Sequence, residues 1–230
     1  MWCLCGTTWA SLQNNAARTR VLFVGNSLTT ANDLPGVVAA MFVAAGGDRI
    51  ECRTVAFPNY SLEDHWNRGD ARRAIAEGGW STVVLQQGPS ALPESQVLLR
   101  EYTRRFDGEA RRVGARTGLY MVWPSAARRH DFDGVESSYA AAARDVGGVL
   151  FPVGEAWRAA WRRDAKLELY DRDGFHPTPL ATYLAALVIY QQLSGRSPIG
   201  LPPMVTTVPR SGLLQAAAAE VNAAAAAIRN

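Results

Sequence analysis

The chain is poor in lysine, cysteine and histidine, and each shortage narrows what it can be. Lys166 is the one lysine among 24 basic residues; the others are arginine. That skew reflects genome composition rather than nucleic-acid binding. The arginine pairs Arg72-Arg73, Arg104-Arg105 and Arg111-Arg112 recur at solvent-facing helical spacing, and the formal charge of +3 is spread along the sequence. No basic stripe is interleaved with aromatics, so no nucleic-acid partner is expected. There are three cysteines, Cys3, Cys5 and Cys52. Cys3 and Cys5, with one residue between them, do not make a zinc site, and no metal or other cofactor is expected. Cys52 lies in an apolar stretch and reads as a small buried hydrophobe. No apolar run approaches the length of a membrane span. The segment before Arg18 has no lysine or arginine and no continuous apolar run, which does not read as an intact signal peptide. A soluble chain is expected, either cytoplasmic or exported with a truncated signal. Residues 1–19 read as an N-terminal extension, mobile or a signal remnant, and 20–230 as a single domain. Oligomeric state is not legible.

What is present is an ordinary globular composition, 48% hydrophobic and 20% charged, over 230 residues. That length suits one α/β domain and buries a large core without disulfides or metals. Arg20–Gly25 (RVLFVG) is a β-branched, apolar run and predicts a buried strand. Further strands are expected at Glu51–Phe57, Ser81–Gln87, Gly118–Trp123 and Gly148–Val153. Helices are expected at Leu34–Ala45, from a Ser61 cap through Gly78, at Glu94–Arg112, Val135–Val146, Glu155–Arg163 and Pro179–Leu193, with an Ala-rich tail at Ala217–Ala227. The alternation implies a parallel sheet with helices on both faces. Ligands in such sheets bind at the carboxyl ends of the strands, so the residues that follow each strand are the ones to weigh.

After the first strand comes Gly25-Asn26-Ser27-Leu28-Thr29. A serine on a strand-to-helix turn presents its hydroxyl at the sheet edge. Its own N–H lies near a helix start, where unpaired donors favour a developing oxyanion. Taken alone, such a serine is more often a cap or turn residue. Near the other end stands Asp173-Gly174-Phe175-His176-Pro177. A serine nucleophile needs a base to take its proton and a carboxylate to orient that base, and Asp and His three apart can share one loop. Alone, this pair reads equally well as a loop aspartate and an incidental histidine.

Together the two motifs resemble a family. Leu22–Thr29 resembles the first block of the SGNH (GDSL-like) hydrolases, with Asn in place of the Asp of GDSL. Asp173-Gly174-Phe175-His176 resembles their last block, Asp-x-x-His, followed by Pro and an apolar helix. The order, serine first and Asp/His last, also matches, and the resemblance runs from about Arg20 to Leu193. It implies a three-layer α/β/α sandwich with a five-stranded parallel, flavodoxin-like sheet and no metal. It also implies hydrolysis of esters or thioesters, with Ser27, Asp173 and His176 as the catalytic set.

The middle blocks depart from the family. Asn59 stands where the family has a glycine whose N–H helps hold the oxyanion; Asn tolerates the left-handed backbone that such a turn requires. Gln86-Gln87-Gly88-Pro89-Ser90 stands in place of Gly-x-Asn-Asp. Gln87 is the candidate side-chain donor, beside the N–H groups of Ser27 and Asn59, and one glutamine only should face the site because strand residues alternate. Asn26, Gln86 and Phe175 are candidate substrate contacts. The expected partner is a small-molecule or carbohydrate ester with a short acyl group, O-acetyl included, because no long apolar lid is visible. The rival reading is a catalytically silent carbohydrate-binding module on the same sandwich. A nucleotide-binding flavodoxin-like protein is disfavoured, since the loop after the first strand lacks a Gly-rich phosphate cradle.

Overall fold

A computed structural model describes residues 19–47, 49–202 and 210–227. The N-terminal extension up to residue 18, with Cys3 and Cys5, lies outside the described residues. Five strands, β1 (Arg20–Gly25), β2 (Glu51–Ala56), β3 (Thr82–Leu85), β4 (Arg116–Tyr120) and β5 (Val149–Phe151), form one sheet in the order β2-β1-β3-β4-β5. Every pairing is parallel. Parallel neighbours need crossovers, and the helices that supply them cover both faces. On one face α2 (Leu34–Ala44) packs on α8 (Pro179–Ser194), which in turn meets α7 (Val153–Arg163) and α9 (Ser211–Ala227). On the other, α3 (Leu62–Arg68) and α4 (Asp70–Ala76) pack on α5 (Pro93–Arg112), and α5 on α6 (Phe132–Val146). The result is the α/β/α sandwich that the alternation implies.

Burial follows the sequence pattern. Val21, Leu22, Phe23 and Val24 of β1 are all fully buried, as a central strand covered on both faces must be. Helix α8 is apolar all round and buried from Ala181 to Tyr190, because it sits between the sheet, α2 and α9. Strand β2 is the half-exposed edge, where Glu51 pairs with Arg20 and Arg53 with Glu77. Charges on an edge strand discourage pairing with another chain.

Two expectations are corrected. The helix expected from Ser61 through Gly78 breaks at Gly69, which takes a left-handed φ of 86° and ends α3 before α4 begins. The fourth strand lies at Arg116–Tyr120 rather than Gly118–Trp123. Its partner β5 ends at Phe151 ahead of Pro152; the Met121 N–H still donates to the Phe151 carbonyl at 3.1 Å, and Met121–Trp123 run on, buried, outside the strand. The Ser61 cap itself forms as a reciprocal box: Ser61 Oγ accepts from the Asp64 N–H at 3.2 Å, and Asp64 Oδ2 accepts from the Ser61 N–H at 2.8 Å.

The order β2-β1-β3 places the reversal of winding between β1 and β3, and the crevice at a switch point is where such sheets bind ligands. Strand β1 ends there in Gly25. A Cβ on Gly25 would lie 2.3 Å from Thr29 Oγ1 and 2.4 Å from Gln86 Oε1, two buried groups bonded to each other. Gly25→Ala is therefore expected to cost about 1–3 kcal/mol through overpacking. Calorimetry should show a melting temperature lower by several degrees; an unchanged value would mean that the turn has slack.

Candidate active site

The turn after β1 is held by buried amides. Asn26 is the N-cap of the short helix α1 (Ser27–Thr30): its Oδ1 accepts from the Leu28 N–H at 3.1 Å, and its Nδ2 donates to the Tyr60 carbonyl at 3.0 Å. Gln86, fully buried at the end of β3, accepts at one oxygen from the Asn26 N–H (2.9 Å) and the Thr29 hydroxyl (2.7 Å). Its Nε2 donates to the Gln87 carbonyl at 2.5 Å. His65, also fully buried, meets the Gly25 carbonyl through Nε2 at 2.7 Å. The bond to that carbonyl makes Nε2 the protonated nitrogen, and burial pulls the imidazole's pKa below its ordinary value. Ser27 is thus the first residue of a helix whose entry is fixed from β3 and from α3.

The distant loop brings the other two residues. His176 Nε2 lies 2.9 Å from Ser27 Oγ, across 149 positions of sequence. His176 Nδ1 lies 2.5 Å from Asp173 Oδ2. Asp173 Oδ1 accepts the N–H groups of Phe175 and His176, each at 2.9 Å, so carboxylate and imidazole are one local unit. Gly174, with φ of 68°, lets the chain turn tightly enough to put both side chains on one side. The loop is strapped from outside as well. Trp123 Nε1 donates to the Phe175 carbonyl at 3.0 Å, and the Ala126 N–H to the Gly174 carbonyl at 2.8 Å. Trp123 stacks on Trp157 at 3.8 Å between ring centroids, and Tyr170 meets Trp157 edge-on and donates to the Pro124 carbonyl. Trp157 and Tyr170 are packing beneath the loop, whereas Phe175 faces the cavity.

That cavity has a volume of about 490 Å³. Ser27, Asn59, Gln87, Ser90, Leu92 and Phe175 are among the residues that line it. Asn59 takes a left-handed φ of 62° in the loop after β2, the conformation a glycine would otherwise supply. Ser90 is also left-handed, with φ of 60°. On the far wall Arg128, in the loop after Trp123-Pro124 at the active edge of the sheet, pairs with Asp131 at 2.6 Å; Asp131 did not stand out in the sequence, whereas Ser90 aligns with the family's Asn. Among the described residues no group of three or more His, Cys, Asp or Glu side chains could hold a metal ion, and no helix is long and apolar enough to cross a membrane.

Three expectations about polar contacts change. Gln86 does not touch the cavity: it is fully buried and its amide is spent on the turn that carries Ser27 and on Gln87. Asn26 borders the cavity, but both ends of its side chain are engaged in the cap and on Tyr60. Gln87 lines the cavity, but not with a free amide. Its Nε2 donates to Ser90 Oγ at 2.9 Å and to the Ser95 carbonyl at 3.2 Å, and its Oε1 accepts from the Leu62 N–H at 3.1 Å. A buried amide must satisfy its donors, and these are the nearest acceptors.

No family profile matches the sequence, and no curated protein matches it. Solved structures do. A protein from Slackia heliotrinireducens described as a candidate SGNH hydrolase is 30% identical, with a TM-score of 0.66, over 76% of this chain and 99% of that one. A protein from Bacteroides uniformis, of a family without assigned function, is 18% identical with a TM-score of 0.72, over 89% of this chain and 94% of that one. A lipase/acylhydrolase from Enterococcus faecalis is 15% identical with a TM-score of 0.62, over 82% of this chain and 100% of that one. Fold and sequence identity together define the class, an α/β/α hydrolase. The chain belongs to the SGNH (GDSL-like) hydrolases, a class whose chemistry is ester hydrolysis.

The Asp173 carboxyl is held down to about 2, first by the His176 side chain and then by the two backbone N–H donors. A carboxyl depressed in this way stabilises the fold above its ordinary value of 3.8, and the contribution is lost as pH falls through about 2. The stability difference between the native protein and Asp173→Asn should therefore be constant above about pH 4 and shrink between about pH 4 and 2. Denaturant titration at stepped pH measures it. A difference independent of pH down to 2 would show that the carboxylate is not favoured in the folded state.

Proposed function

We propose that the protein is a serine esterase that cleaves carboxylic esters of short acyl groups through an acyl-enzyme on Ser27. The observation that carries this reading is the chain of contacts Ser27 Oγ–His176 Nε2–Asp173, at 2.9 and 2.5 Å. Asp173 holds the imidazole with its proton on Nδ1, which leaves Nε2 as the base. His176 takes the hydroxyl proton as Ser27 Oγ attacks the ester carbonyl. The C–O bond to the alcohol then breaks, and the alcohol leaves with the proton that His176 returns. Water, deprotonated by the same nitrogen, attacks the acyl-enzyme and releases the acid and Ser27.

The oxyanion forms beside the Ser27 N–H at the start of α1 and the Asn59 N–H in its left-handed turn. The third donor is the Gln87–Ser90 pair. Gln87 donates to Ser90 Oγ, and the hydroxyl proton of Ser90, at rest on the Gly88 carbonyl at 2.9 Å, is the one free to turn toward a negative oxygen. The two backbone donors are fixed in place and cost nothing to orient at the moment of reaction, whereas the Ser90 hydroxyl gives up the Gly88 carbonyl as it turns. As for substrate, a cavity of about 490 Å³ takes a short acyl group together with part of its alcohol. The Arg128–Asp131 pair and the Ser125 residue on its wall suit an alcohol that bears further hydroxyls, such as an O-acetylated sugar.

Ser27→Ala should reduce p-nitrophenyl acetate turnover by about a thousandfold or more, with an unchanged melting temperature. An organophosphonate should label Ser27 in the native protein, as peptide mapping would show. Absence of labelling together with tight sugar binding would favour a silent carbohydrate-binding module instead.

Asn59→Gly keeps the backbone donor and the left-handed turn, so kcat should stay within about tenfold, or ~1.4 kcal/mol of barrier. Gln87→Ala and Ser90→Ala should each lower kcat by about a hundredfold, the loss of one donor. If Gln87→Ala falls and Ser90→Ala does not, the amide itself is the donor. If neither falls, this side of the oxyanion site is misassigned.

A further inference from the structure

The link between α1 and α2 contains two consecutive non-glycine residues in left-handed conformation, Asn32 (φ 52°, ψ 27°) and Asp33 (φ 53°, ψ 49°). Such residues persist only where the surroundings over-determine them. For Asp33 the reason is local: its Oδ1 accepts from the Gly36 N–H and caps α2, and Gly36 is bare of a Cβ that would lie 2.0 Å from the Asp33 carboxylate. For Asn32 the reason is distant. Its Nδ2 donates to the Pro177 carbonyl at 2.9 Å and to Thr182 Oγ1 at 3.0 Å. Asn32 is exposed, so burial does not fix its side chain; the two hydrogen bonds do. Both donors of one amide are used, and the Pro177 carbonyl can only accept, so the amide has one orientation.

These bonds span the site. Asn32 lies five residues after Ser27, and Pro177 directly follows His176, while Thr182 is a buried residue of α8. We infer that Asn32 is a positioning residue that sets the approach of the His176 loop to Ser27. It ties the nucleophile's segment, the histidine's loop and the helix behind them at one amide. The other straps on the loop, from Trp123 and Ala126, come from the β4 side; Asn32 is the tether from the β1 side. A shift of the loop by a fraction of an ångström would lengthen the 2.9 Å contact on which proton transfer depends. The inference rests on the reading of Ser27 as nucleophile and His176 as base.

Asn32→Asp is the sharp variant. Aspartate has the same shape and tolerates the same backbone, but it sets an oxygen against the Pro177 carbonyl, where a donor belongs, while the Thr182 hydroxyl can turn to donate to it. Asn32→Gly removes the tether without adding repulsion and is at ease at positive φ. The measurements are kcat, KM, melting temperature and the rate of Ser27 labelling by phenylmethylsulfonyl fluoride. The expected order in kcat is native, then Asn32→Gly, then Asn32→Asp. The last should fall at least about tenfold with KM changed less than about twofold. Labelling should slow in parallel, because it reports the same proton transfer. A lower melting temperature with unchanged kcat and labelling in both variants would make Asn32 a purely structural residue and overturn the inference. Full activity in Ser27→Ala would instead overturn the nucleophile reading beneath it.

Discussion

One buried amide oxygen governs the geometry of this molecule's working edge. Gln86 Oε1 accepts from the Asn26 N–H and from the Thr29 hydroxyl, and so ties the end of β3 to the turn after β1. A buried oxygen left without donors, or buried donors without it, would cost about 1–3 kcal/mol. Each partner therefore holds the other. Gly25 is bare because that contact occupies the space of a side chain. The turn that carries Ser27 thus inherits its position from the central strands rather than from the loop in which it lies.

The same logic extends outward in two directions. His65 and Tyr60, both from the segment after β2, fix the Gly25 carbonyl and the Asn26 side chain from one side. Gln87 fixes the start of α3, the Ser90 turn and the first turn of α5 from the other. Adjacent residues of one strand end, Gln86 and Gln87, thereby serve different elements, as alternation along a strand dictates. The Asp173–His176 unit arrives last, carried by a loop whose shape is set by its own hydrogen bonds and by the stacked Trp123–Trp157 pair below it. An aromatic pair of this kind adds about 0.5–1.5 kcal/mol beyond area burial.

The parts legible in the sequence are those written in local pattern. The RVLFVG run could hardly be anything but a central strand, and Ser61 with Asp64 announced a helix start. The Ser27 and Asp173/His176 motifs marked the two ends of the sheet edge that the structure brings together. What local pattern could not convey was the partnership of polar side chains across the fold. Gln86 and Asn26 looked like substrate contacts because they flank the site in sequence; only the three-dimensional arrangement shows that their hydrogen-bonding capacity is spent inside the protein. Gly69 was readable as a helix breaker, but a glycine in a helical pattern is tolerated often enough to be passed over. The tether from Asn32 to Pro177 joins residues 145 positions apart and left no local trace.

The Asp173 and His176 side chains are 52% and 38% exposed, which makes this a shallow centre. Water reaches both side chains, so their orientation comes from the short bonds of the loop rather than from enclosure. A centre of this depth lies open to solvent on one side. The volume of the cavity therefore sets no upper limit on the size of a molecule that reaches Asp173 and His176 from their exposed side.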